Sequence, residues 1–142
     1  MSIDIRGAMK VKVKPADIWF SRCVRHAANW TCERCGKKYS ADDARGLDCS
    51  HTFGRRHRSV RWSAENCQAL CMGCHRWFHE QPTESGIWVR ELMGEKAYEL
   101  LKEKKEQIVK VSKAEEKEIA KHYRDEYRRM VAENSREFES WQ

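Results

Sequence analysis

The period of apolar positions changes several times along the chain, and each change marks an element. Residues 3–13 alternate between Ile or Val and polar residues, which is the repeat of a strand, with Gly7 interrupting it. Pro15 and Asp17 then suit a first helical turn, and the segment reads as a helix to about Ala28. Ile18, Cys23 and Ala27 share its expected inward face, and His26 reads as a surface residue. Residues 30–46 form a knuckle: Cys32 and Cys35 are followed by Gly36, which lets the backbone turn tightly enough for both sulfurs to converge. Leu47 to Phe53 has the look of a short strand. An arginine-rich loop over 54–61, Trp62 and a turn over Ser63–Asn66 come next. A short helix is expected from about Cys71 to Gln81, stopped by Pro82.

The rest reads as helical. One helix is expected from Glu84 to Met93, halted near Gly94, and another from Glu95 to Val111. Ser112 followed by Glu115 is a capping box, so a new helix starts there and runs towards Phe138. Ile119, Tyr123, Tyr127, Met130 or Val131, and Phe138 make a narrow apolar stripe that can dock on the domain or on a partner helix, including a homodimer through the C-terminal helices. The surrounding charges alternate in sign and form a solvated face. The chain therefore reads as α+β. Its expected parts are an N-terminal strand and helix (1–29), a small metal-stabilised core (30–82) and a helical C-terminal extension (83–142).

Composition narrows the setting. With 142 residues, 40% hydrophobic and 35% charged, the chain suits one soluble domain with a modest core. No apolar run is long enough to span a membrane and the first 25 residues lack the apolar middle of a signal peptide, so a cytoplasmic location is expected. Residues 1–90 carry a net +7 and residues 91–142 a net −1, so the basic surplus travels with the cysteine region, as expected if that region meets a polyanion.

Four of the seven cysteines form two Cys-x-x-Cys pairs, Cys32 with Cys35 and Cys71 with Cys74, whose first members are 39 residues apart. Thiolates two residues apart on a tight turn can share one ion, and two such pairs make the tetrahedral set of a structural Zn2+ site. A redox dithiol is the rival reading, but it does not require two pairs. Cys23 and Cys67 read as small buried hydrophobes, and Cys49 stays ambiguous. His75 and His79 are four residues apart on the short helix, so they share one face and can hold one ion.

The full spacing is His51-x14-Asn66-x8-His75-x3-His79. In this pattern residues 30–82 resemble the HNH, or ββα-metal, nucleases, many of which carry two such cysteine pairs around the motif. The run from His51 to Trp62, with Asn66 and the second cysteine pair, is similar more narrowly to phage NinG (Rap) recombination endonucleases, a group associated with branched recombination intermediates. The resemblance implies that His51 is the general base and Asn66 its orienting residue, that His75 and His79 hold a catalytic Mg2+, Mn2+ or other divalent metal, and that the partner is DNA, branched in the narrower case. One position departs from the pattern. Many members place Asp or His just before the base as a further metal ligand, and here that residue is Ser50. Asp48, roughly 6–7 Å away on the same strand face, is a substitute through water, and His57 is another from the loop.

These residue types suit phosphodiester hydrolysis. A neutral imidazole can accept the proton of a water molecule at cellular pH, and a carbonyl acceptor on Asn66 can fix the His51 tautomer. Arg55, Arg56, Arg58 and Arg61 put four guanidiniums within seven residues, a phosphate-binding surface without sequence readout, or in the plainer reading a solvated basic loop. Trp62 and Trp77 read as burial against the knuckle before base stacking. Three functions follow in order: a metal-dependent DNA endonuclease, a zinc-stabilised nucleic-acid-binding module with weak or lost catalysis, and an adaptor acting through its helical tail.

Overall fold

A computed structural model describes residues 11–142 and gives five helices and one two-stranded antiparallel sheet among them. The alternating stretch at 3–13 falls largely outside the described residues, and residues 11–13 carry no strand. Helix α1 (Pro15–Ala27) starts where proline fits the first turn, and the Asp17 carboxylate accepts the Lys14 N–H at 2.7 Å. Its buried face is Ala16, Phe20, Cys23 and Val24; Ile18, expected inside, is 48% exposed, and His26, expected outside, is buried. The His26 side chain accepts from Trp30 Nε1 at 3.3 Å, and its backbone carbonyl accepts from Arg136 at 3.1 Å.

Strand β1 (Leu47–His51) pairs antiparallel with β2 (Cys67–Cys71), in a register that sets Cys49 opposite Ala69 and His51 opposite Cys67. β1 stops two residues short of the expected Phe53. β2 was not foreseen: all five of its residues are buried, so it shows no alternation. Helices α2 (Met72–Glu80) and α3 (Pro82–Met93) meet at Gln81, with Pro82 in the first turn of α3. Gly94 has φ of +89°, a conformation that favours glycine, and turns the chain into α4 (Glu95–Lys105). α4 ends six residues before the expected Val111. α5 (Lys113–Glu133) opens as the capping box predicts, with Ser112 Oγ accepting the Glu115 N–H at 3.1 Å. It stops at Asn134, whose left-handed backbone ends the helix ahead of Phe138.

Two apolar clusters hold these elements. In one, α1 lies along α5: Ile119, Tyr123 and Met130 bury against Phe20 and Cys23, with Trp62 and Cys67 beneath. The Tyr123 hydroxyl donates to the Trp62 carbonyl and accepts the Trp141 N–H, so the chain end folds back onto this core. The apolar stripe of the C-terminal helix is thus covered by α1 of its own chain, and α1 and α5 share one core. The second cluster, around Trp30, Leu47, Leu70 and Phe78, joins the sheet to α2 and α3. Among the described residues no helix is long and apolar enough to cross a membrane.

Candidate functional site

Cys32, Cys35, Cys71 and Cys74 gather with their sulfurs all within 4.8 Å of one another, a cluster that could hold a metal ion. The Cys35 and Cys71 sulfurs are 3.7 Å apart, against about 3.8 Å expected between thiolates on tetrahedral Zn2+. Local backbone explains the convergence. Gly36 at φ +80° lets its N–H reach the Cys32 carbonyl at 3.0 Å, while the Cys35 N–H points at the Cys32 sulfur at 3.5 Å. On the other side Cys71 ends β2 and caps α2, its sulfur accepting the Cys74 N–H at 3.4 Å. Burial works to raise the Cys32 thiol, but the N–H groups aimed at it prevail and bring it down to about 6. Four sulfurs with N–H donors and one readily ionised thiol are a donor set that fits zinc. Arg34 closes one side, 3.4 Å from the Cys74 sulfur and stacked 3.6 Å over the Trp77 ring.

A cleft of about 630 Å³ is lined by His51 and Asp48 from β1, His75 and His79 from α2, and by Arg25 and Arg55. The histidines at positions 51, 75 and 79 therefore line one space. The His75 and His79 rings lie 4.9 Å apart between centroids, and His75 Nδ1 meets the Asp48 carboxylate at 2.9 Å. A carboxylate on one imidazole nitrogen fixes the ring and presents the other nitrogen outward. Ser50 shares the strand face of Asp48 by alternation. It is fully buried, and its Oγ has no hydrogen-bond partner. His57 is not among the lining residues.

The Asn66 side chain does not hydrogen-bond to His51. It is fully buried and holds the loop instead: Oδ1 accepts the Phe53 N–H at 2.9 Å, and Nδ2 donates to the Phe53 and Val60 carbonyls at 2.9 and 3.1 Å. The orienting group for His51 is the Arg61 backbone carbonyl, 3.0 Å from Nε2. With Nε2–H donating there, the lone pair sits on Nδ1. Burial lowers His51 to about 4, the Arg61 carbonyl opposing and the Arg55 charge assisting, so the imidazole is neutral at cellular pH.

The arginine loop is less uniform than its sequence. Arg61, expected with the others at the surface, is 1% exposed, and its guanidinium is paired with Asp17 at 2.6 and 3.0 Å and with the Lys12 carbonyl at 2.8 Å. Trp62 Nε1 donates to the same carboxylate at 3.0 Å. This pair ties α1 to the stretch whose carbonyl orients His51. Arg58 is engaged by Glu116 at 3.0 Å, and Arg55 reaches the Val11 carbonyl at 3.3 Å while lining the cleft. Arg56 is exposed. Sequence reasoning missed the roles of Asp17 and the Arg61 carbonyl. Only the acidic residue at the start of α1 was a visible hint, and its partner lies 44 residues away.

Among known proteins, no family model, curated protein or solved structure matches the chain.

Proposed function

We propose that the protein is a metal-dependent DNA endonuclease of the HNH type. The observation that carries this reading is the single cleft shared by His51, His75, His79 and Asp48, with His51 held in one tautomer by the Arg61 carbonyl. β1, β2 and α2 follow one another in ββα order, with His51 at the end of the first strand and both other histidines on the helix, which supports the same core. In the proposed reaction His51 Nδ1 takes a proton from the attacking water, while Nε2–H stays on the Arg61 carbonyl and keeps the ring aimed. Asp48 holds the His75 ring so that its second nitrogen, with His79, faces the cleft. His75 and His79 would hold a divalent ion, which would supply Lewis-acid and templating chemistry for phosphodiester cleavage. Arg25 and Arg55 lining the cleft, with exposed Arg56, would meet backbone phosphates, so affinity is independent of base sequence. The narrower resemblance makes branched recombination intermediates of phage DNA the proposed substrate.

The test is cleavage of linear and branched DNA with Mg2+ or Mn2+. His51→Ala is expected to lose about 10²–10⁴-fold in rate while keeping its affinity for DNA. Absence of metal-dependent cleavage by the wild type, or an unchanged rate in His51→Ala, sinks the enzyme reading. Ser50, a hydroxyl where many HNH proteins carry a ligand, favours the second reading, a zinc-stabilised module that binds DNA without cutting it. Binding with no cleavage in any metal is its signature.

A further inference from the structure

The face of β1 that carries His51 also carries Cys49, two residues earlier, and the antiparallel register sets Cys67 directly across from His51. The Cys49 sulfur, the Cys67 sulfur and a nitrogen of the His51 ring all lie within 4.8 Å of one another. Donors on one tetrahedral zinc ion stand about 3.6 Å apart, so side-chain movements of about 1 Å close the set. We propose that Cys49, Cys67 and His51 form a second metal site, separate from the four-cysteine cluster, that takes a soft thiophilic cation such as Zn2+ or Cd2+.

Three features support this assignment. Two sulfurs and an imidazole are ligands for zinc-like ions, and Mg2+, which prefers oxygen, has little affinity for them. The Arg61 carbonyl accepts from His51 Nε2 and leaves the Nδ1 lone pair for a metal, the arrangement by which a ligating imidazole is normally oriented. Cys49 and His51 line the cleft while Cys67 is buried behind them, so the site has an entry path and an open fourth position on the cleft side. Packing alone accounts for Cys67 in the apolar core, but not for two thiols converging on a histidine.

The consequence rests on the nuclease reading. Nδ1 has one lone pair, so a metal bound there removes the group that takes the proton from water. Zinc at this site switches cleavage off, whereas Mg2+ leaves it on.

The site itself is tested by metal content in the full-length chain. In a His75→Ala/His79→Ala background, where the helix pair contributes nothing, the chain is expected to retain two Zn2+ or Co2+ ions after dialysis. Adding Cys49→Ala is expected to leave one and to weaken the thiolate-to-cobalt charge-transfer absorption. Cys67→Ala repeats the test from the buried side, with circular dichroism to verify the fold. One ion in the background chain, or two after Cys49→Ala, overturns the site. For the switch, added Zn2+ is expected to suppress Mg2+-supported cleavage by the wild type and spare Cys67→Ala; equal suppression of both overturns it. If the wild type does not cleave at all, the nuclease reading and the switch built on it both fail, and the metal count still decides the site.

Discussion

Asn66 separates two ways of orienting His51, because they predict opposite rankings for two substitutions. The side chain is fully enclosed and makes three hydrogen bonds, accepting from Phe53 N–H and donating to the Phe53 and Val60 carbonyls. Asn66→Ala removes all three, at about 1 kcal/mol each, so a loss of about 3 kcal/mol is expected. For a chain of this size that lowers the melting temperature by about 10 °C. Asn66→Asp keeps the shape and the acceptor but aims a carboxylate at two carbonyl oxygens inside a buried site. Two donors are lost, and an unpaired buried charge adds several kcal/mol. Protonating the carboxylate recovers one donor at most. Asn66→Asp is therefore the worse of the two by thermal or urea melting of the zinc-loaded protein. Had Asn66 oriented His51 by accepting from its ring, Asp would be the better replacement. An Asn66→Asp variant more stable and more active than Asn66→Ala refutes the loop-holding role.

Three further outcomes are expected. Cys71→Ser removes one of the four sulfurs while its hydroxyl can still cap α2, so zinc content falls by one per chain and the melting temperature drops by at least about 10 °C through the lost metal; unchanged melting refutes the four-cysteine site. Asp17→Ala strands the Arg61 charge at 1% exposure and costs about 3–5 kcal/mol, whereas Asp17→Ala with Arg61→Met costs less; equal losses in denaturant titration refute the buried pair. Because the folded value of His51 lies below the unfolded one, its stabilising share is complete above pH 6.5 and is lost as pH falls towards 4. That interval corresponds to about 3 kcal/mol. Melting of the wild type is expected to fall more steeply with acidification than melting of His51→Asn, and parallel curves refute the assignment.

What could be read in advance was local. The starts of α1 and α5 were legible because Pro15 and the Ser112–Glu115 pair act within one helical turn. The four sulfurs and the shared face of His75 and His79 follow from spacing alone. β2 was hidden because a strand buried on both faces has no alternation and looks like the start of the helix behind it. The early end of α4 was hidden too, since residues 106–111, which include Ile108, Val109 and Val111, contain neither glycine nor proline. Arg61 sits among more accessible arginines in sequence, and only the three-dimensional approach of Asp17 distinguishes it. The same holds for Asn66, whose amide addresses backbone groups that no residue pattern reveals.

Cys71 belongs at once to the sheet, to the sulfur cluster and to the cap of α2. His75 follows it by about one helical turn, so ordering that turn contributes to both the sulfur cluster and the histidine pair. Thermodynamic reciprocity then applies: the factor by which zinc at the sulfurs tightens an ion at His75 and His79 equals the factor by which that ion tightens zinc. Two chemically unlike ions, one held by sulfur and one by nitrogen, would respond to each other through a single helical turn.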